Sequence, residues 1–190
     1  MKSGQKRPSA LSHPIPPVYD EHSRVLILGS FPSVRSRESG FFYGHKQNRF
    51  WRVLSALFDQ ETPRTNEEKR AFLLKNRIAL WDVIASCEIV GSSDASIAHA
   101  LPNDLRPIFE KARLEKVFVN GRTAEKLYRE HIEGSLGIPA VCLPSTSAAN
   151  ASYGMERLIE AWRAVSEAVL GSEEERNGHQ NEDIGKEEEQ

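Results

Sequence analysis

The run Val25-Leu26-Ile27-Leu28-Gly29 decides the fold class. Four large apolar residues in succession, closed by a glycine, leave no polar face for water. Such a run predicts a strand buried on both sides, as strands are in parallel sheets covered by helices. Working outward, three more stretches share the pattern: Ile78 to Val83, Val117-Phe118-Val119 and Ile138 to Leu143. Helical patterns fill the intervals. Trp51, Leu54 and Phe58 recur at helical spacing between Asn48 and Phe58, and Thr65-Asn66-Glu67-Glu68 is a capping box for a helix reaching Asn76. Asn103 to Arg113 reads as a helix capped by Asn103, and Arg122 to His131 as another. Met155, Leu158, Ile159, Trp162, Val165 and Val169 stripe a last one. This alternation predicts an α/β fold with a central, mainly parallel sheet of about four strands and helices on both faces.

With 190 residues, 39% hydrophobic and 27% charged, the chain has the makings of one folded domain. No apolar run reaches the ~18 residues a membrane-spanning helix needs. The opening MKSGQKRPSALSHPIPPVY lacks the apolar segment of a secretory signal, so a cytoplasmic location is expected. Two cysteines, Cys87 and Cys142, fall short of a disulfide framework, and the six histidines show no HxxxH or HxH spacing. Neither a metal nor another cofactor is expected. The formal net charge of −2 divides into −6 on residues 171–190 and +4 on the rest. A mildly basic body is compatible with a nucleic-acid partner without requiring one. Residues 1–19, carrying Pro8, Pro14, Pro16 and Pro17, read as a flexible arm, residues 20–170 as a single domain, and residues 171–190 as a disordered acidic tail.

In open parallel sheets the ligand sits beyond the carboxyl ends of the strands, so the segments following them are where chemistry is expected. After the first strand come Gly29-Ser30-Phe31-Pro32-Ser33 and then Phe41-Phe42-Tyr43-Gly44-His45-Lys46-Gln47-Asn48-Arg49-Phe50-Trp51. This is neither GxxxxGK[ST] nor GxGxxG, and no GxSxG elbow occurs, so nucleoside triphosphates, dinucleotides and serine-hydrolase chemistry of that type are disfavoured. The successive aromatics either pack in the core or form a face on which a planar ring stacks, worth about 1–3 kcal/mol per base. Asp82, at the end of the second strand, either serves a site or caps a helix, because a carboxylate there needs a partner. Cys87 reads more simply as a small buried residue than as a nucleophile. Asn120 either reads a ligand or caps the following helix. Pro144-Ser145-Thr146-Ser147-Ala148-Ala149-Asn150 is either a phosphate-contacting loop or a plain connection.

The segments GSFPS, YGHKQNRFW, LWDVIASC, VFVNG and LPSTSAANAS, in this order on alternating strands, resemble the uracil-DNA glycosylase superfamily. They are most similar to its hypoxanthine-DNA (deoxyinosine) glycosylase branch, over roughly residues 22–166. The resemblance implies a three-layer α/β/α sandwich and a partner that is DNA containing deaminated bases. It places Gly29, Ser30 and Phe31 against the sugar and departing base, Tyr43 on the face of a flipped base, and Asp82 near the base edge. Asn120 joins this base-binding set. Pro144, Ser145, Thr146, Ser147 and Asn150 belong to the loop that presses into the duplex. Asn48 matches the catalytic Asn of the NRFW segment, where its amide oxygen would hold the attacking water. Phe31 departs from the Asp or Asn of other branches, Leu143 from a His, and Lys46 and Ala148 from prolines.

The implied activity is monofunctional: no lysine is placed to form an imine, so base release without strand cleavage is expected from a monomer. Arg35, Arg37, Lys46, Arg49 and Arg122 are the expected phosphate contacts. Two rivals follow from the same residues. One is a DNA-binding protein of this fold without turnover, motivated by Phe31 and the missing His. The other is a small-molecule hydrolase with Ser145 or Cys87 as nucleophile.

Overall fold

The computed structural model describes residues 9–184, with side chains from 10 to 171. Its strands are β1 (Ser9–Ser12), β2 (Val25–Gly29), β3 (Ile78–Asp82), β4 (Ile84–Ile89), β5 (Ala98–Pro102), β6 (Lys116–Asn120) and β7 (Ala140–Leu143). The helices are α1 (Val34–Ser39), α2 (Phe50–Leu57), α3 (Asn66–Lys75), α4 (Arg106–Lys111), α5 (Arg122–Tyr128), α6 (Gly134–Leu136) and α7 (Met155–Ile184). Four strands form a parallel sheet in the order β3-β2-β6-β7. Val25 and Ile27 of β2 enter one core with Phe50, Leu54 and Trp162 of α2 and α7. Leu26 and Leu28 enter the other, with Ile84, Ile108 and Tyr128. All four β2 side chains are fully buried, each contributing about 1.5–3 kcal/mol relative to exposure. The continuous apolar run is thus the imprint of two cores served by one strand.

Register then assembles the site. Gly29 is level with Asp82, Leu28 with Val119, and Asn120 with Leu143, so the carboxyl ends of all four strands open on one side. The capping box at Thr65 and Glu68 forms with both of its bonds. Helix α4 is shorter than its pattern: Leu105 precedes it, and Pro107 sits in the first turn, where a missing N–H costs nothing. Asn103 does not cap it; its Nδ2 donates instead to the Asp82 carbonyl at 2.9 Å.

Beside the parallel sheet lies an antiparallel one, β1-β4-β5, which the sequence pattern did not reveal. Its formation corrects the reading of residues 1–19 as a flexible arm. Residues 9–12 pair with β4, Val18 bridges Leu80, and Ile15 and Val18 are 3% and 1% exposed. Pro14, Pro16 and Pro17 exclude a helix but suit an extended strap, and the neighbouring Ile15 and Val18 fill the core edge. The part of the arm covering residues 1–8 lies outside the described residues. The tail is corrected as well: α7 continues through residues 171–184, with helix-favouring Glu and Gln and no proline to end it. Its last residues, 185–190, lie outside the described residues.

Candidate active site

The four aligned strand ends and the loops that follow them enclose a cavity of about 340 Å³. Gly29, Ser30, Phe31, Tyr43, Asn48, Asp82, Asn120, Ser145, Thr146 and Ser147 all line it. Pro144 and Asn150 do not. The Pro144 carbonyl accepts the Trp162 indole N–H at 2.9 Å, and Asn150 donates Nδ2 to the Ser145 carbonyl at 2.9 Å, so both shape the loop from behind.

Asn48 is held by a directional chain of hydrogen bonds. The backbone N–H of Thr146 donates to Asn120 Oδ1 at 3.0 Å, which fixes that amide's orientation. Asn120 Nδ2 then donates to Thr146 Oγ1 at 2.9 Å, leaving the hydroxyl proton to go to Asn48 Oδ1 at 2.9 Å. The same oxygen accepts the Phe50 N–H at 3.0 Å, where α2 begins. Both lone pairs of Oδ1 are therefore occupied. The sequence expectation had this oxygen hold a water; here its two acceptor positions are taken by protein donors, while the side chain lines the cavity. Asn120 acts as a brace between β6 and the 145–149 loop. It caps nothing: Gly121 is the residue preceding α5.

Tyr43 adopts a positive φ of 53°, a strained conformation for a residue with a bulky side chain and one that clusters at functional sites. One face of its ring is stacked on Phe50, with centroids 3.9 Å apart. Its hydroxyl is buried and without a hydrogen-bond partner among the described residues. Burial, then the Asp82 charge, push the phenol well above its ordinary range, while the Asn120 amide acts in the opposite direction. Phe41 and Phe42 are core residues, although Phe42 also touches the cavity.

Asp82 is buried, and room for its carboxylate comes from Gly29. A Cβ on Gly29 would lie 2.2 Å from Asp82 Oδ1 and 3.1 Å from the Tyr43 hydroxyl. The carbonyls of Gly29 and Ser30 accept from Val83 and Ile84, which pins the loop over the sheet. Phe31 turns most of its ring into the core and meets His13 edge-on at 5.8 Å.

Three contributors were not anticipated from the sequence. Asp94, on the turn after β4, lines the cavity and accepts the Ser30 hydroxyl at 2.9 Å. Desolvation pushes its carboxyl above the usual range, the Ser30 bond opposes this, and Asp82 repulsion adds to it. Ser92 lines the same wall and accepts the Val34 N–H at 2.9 Å. His13 supports Asp82 from below, its Nε2 2.8 Å from Oδ2. The signal for the turn was Gly91-Ser92-Ser93-Asp94, a turn-forming sequence between two amphipathic strands.

Arg49 is not available to a phosphate. Its Nε and terminal nitrogens donate to the carbonyls of Thr146, Ser147, Asn150 and Tyr153, so one guanidinium organises the whole second loop. Cys87 is buried, and burial pushes its thiol up, as suits a packing residue. Ser145 accepts the Ser147 N–H, and no imidazole bonds to it among the described residues.

A family model described as the uracil DNA glycosylase superfamily matches residues 16–166. A hypoxanthine DNA glycosylase of Methanosarcina acetivorans is 36% identical over 152 residues, covering 79% of this chain and 94% of its own length. Its counterpart from Methanosarcina barkeri is 34% identical over 137 residues, covering 71% and 85%. The solution NMR structure of a candidate uracil DNA glycosylase from Methanosarcina acetivorans superposes with a TM-score of 0.70 at 33% identity, covering 82% of this chain and 96% of that one. The family match spans the parallel sheet, the cavity at its strand ends and both loops that close it: the chain belongs to the uracil DNA glycosylase superfamily.

Proposed function

We propose that this protein hydrolyses the N-glycosidic bond of a deaminated base in DNA, hypoxanthine first among them, releasing the free base and leaving the strand uncut. The observation that carries this reading is the fixed Asn48 amide. It sits in a cavity that also holds an aromatic ring, a buried carboxylate and a loop of small hydroxyl residues. The names of the two Methanosarcina relatives support hypoxanthine as the base.

The target must leave the stack, at a cost of a few kcal/mol that mispairing lowers. Breaking the C–N bond places positive charge on the sugar and negative charge on the departing base, so the protein's task is to supply donors to the base and to exclude bulk water. Asn48 Nδ2 and the N–H groups of the Gly29–Phe31 loop serve as those donors. The free face of Tyr43 accepts the ring by stacking, and the 144–150 loop enters the duplex. In this reading water attacks after the base has largely departed, as in oxocarbenium-like hydrolysis. The working unit in this reading is a monomer. Among the described residues no helix is long and apolar enough to cross a membrane.

The second reading, a DNA-binding protein without turnover, is favoured by one observation: Phe31 is packed into the core where other branches carry a water-positioning group. One experiment decides between them. Duplexes carrying hypoxanthine, uracil or xanthine are incubated with the protein and then treated with alkali. Strand breaks only after alkali establish a monofunctional glycosylase; intact strands on all three, with binding retained, establish the second reading.

A further inference from the structure

The floor of the cavity is held from an unexpected direction, the segment that precedes the parallel sheet. The His13 N–H donates to the Ala85 carbonyl at 2.7 Å, and Trp81 Nε1 donates to the Ile15 carbonyl at 3.1 Å, so the strap is tied on both sides of the imidazole. The ring is enclosed by Phe31, Phe42 and Trp81, and its side chain is 3% exposed. The Ile15 N–H donates to Nδ1 at 3.2 Å. Nδ1 is then an acceptor, the proton sits on Nε2, and the imidazole is neutral. That proton points at Asp82 Oδ2, 2.8 Å away.

A neutral imidazole supplies a hydrogen bond to Asp82 but no countercharge. The second oxygen, Oδ1, projects over Gly29 into the cavity and takes no protein donor among the described residues. An acceptor-only oxygen in this position is satisfied by an N–H of the ligand.

Resting on the glycosylase reading above, we infer that His13 is a positioning residue for base recognition. Through Nε2–H it holds Asp82 so that Oδ1 accepts the ring N–H of a base that carries N–H and C=O side by side. Hypoxanthine, xanthine and uracil present this lactam edge. Adenine and cytosine present a bare ring nitrogen to the carboxylate, placing acceptor against acceptor. Guanine and thymine share the lactam edge, and normal pairing protects them through the cost of flipping. The strap that carries His13 is thereby part of the active site.

The test is a double-mutant cycle read by single-turnover base release from a hypoxanthine duplex. His13→Phe keeps a packed ring and removes the donor; His13→Met is a second donor-less variant if the first does not fold; His13→Gln returns an N–H near the Nε2 position. The donor-less change is expected to slow release about ten- to a hundredfold, the scale of a hydrogen bond to a charged group. Affinity for undamaged duplex stays within twofold or so, His13→Gln recovers most of the rate, and the donor-less change adds nothing in an Asp82→Asn background. Wild-type rates in the donor-less variants, or losses that multiply in the double variant, overturn the proposal alone. A wild type that releases no deaminated base overturns it together with the glycosylase reading.

Discussion

Thr146 donates its hydroxyl proton to the amide oxygen of Asn48 across 98 residues of sequence, and this bond ties the second loop to the start of α2. Thr146→Val keeps the shape of a side chain that is fully buried and deletes the link. It leaves Asn120 Nδ2 without its acceptor, which costs about 1–3 kcal/mol of stability. Freed from its tether, Asn48 should also lose about tenfold in base release, whereas Thr146→Ser keeps both. Thermal melts and single-turnover assays on the pair check this.

The occupied state of Asn48 Oδ1 gives Asn48→Asp a definite outcome. One carboxylate oxygen still accepts from Phe50 and Thr146, and the other replaces a donor with a negative acceptor. Facing a base that departs with negative charge, it should reduce release about 10²-fold or more, the scale of removing a transition-state donor. Activity equal to wild type would return a water-holding role to this side chain.

Arg49 bonds to four carbonyls of the 146–153 segment, and a lysine ammonium cannot reproduce that fork. Arg49→Lys should therefore loosen the loop, seen as faster limited proteolysis within it, and weaken binding to damaged duplex. Because the guanidinium is not on a phosphate, the salt dependence of undamaged-duplex binding should keep its slope. A shallower slope in the variant would place Arg49 on the DNA backbone instead.

Asp94 carries a sign for pH. Its folded carboxyl is raised, chiefly by desolvation, so the folded state holds its proton at a pH where the unfolded chain has released it. Stability from this group is then greatest when it is protonated and declines as pH rises from the ordinary carboxylate value through the raised one. Asp94→Asn keeps an acceptor for Ser30 and removes the titration. Melting temperatures of the two proteins should diverge in the variant's favour as pH rises through that window. Parallel curves would contradict the assignment.

What the sequence made legible follows the physics of burial. Strands β2, β3 and β6 were readable because both of their faces enter cores, which leaves unbroken apolar runs such as Val25 to Leu28. The edge strand β7 was readable from its apolar composition, although Val141 is exposed. Strand β4 alternates buried Ile84, Cys87 and Ile89 with half-exposed Ser86 and Glu88, and β5 is mostly exposed, so neither carries such a run. The strand-end rule located Asp82 and Asn120, and the resemblance pointed to Asn48. The direction of Asn48's amide was not readable, because it depends on a proton chain through Thr146 and Asn120 that only the fold brings together. His13 was hidden by its prolines: Pro14, Pro16 and Pro17 look like a mobile segment until β4 and Leu80 are there to pair with it.

The most direct test of the central claim is single-turnover release of free hypoxanthine from a duplex, measured by chromatography for wild type and Asn48→Ala. The wild type should liberate the free base, with the strand intact until alkali is added. Asn48→Ala should do so about 10²-fold more slowly while binding the duplex within a few-fold of wild type. No free base from the wild type, or equal rates from both proteins, would contradict the account.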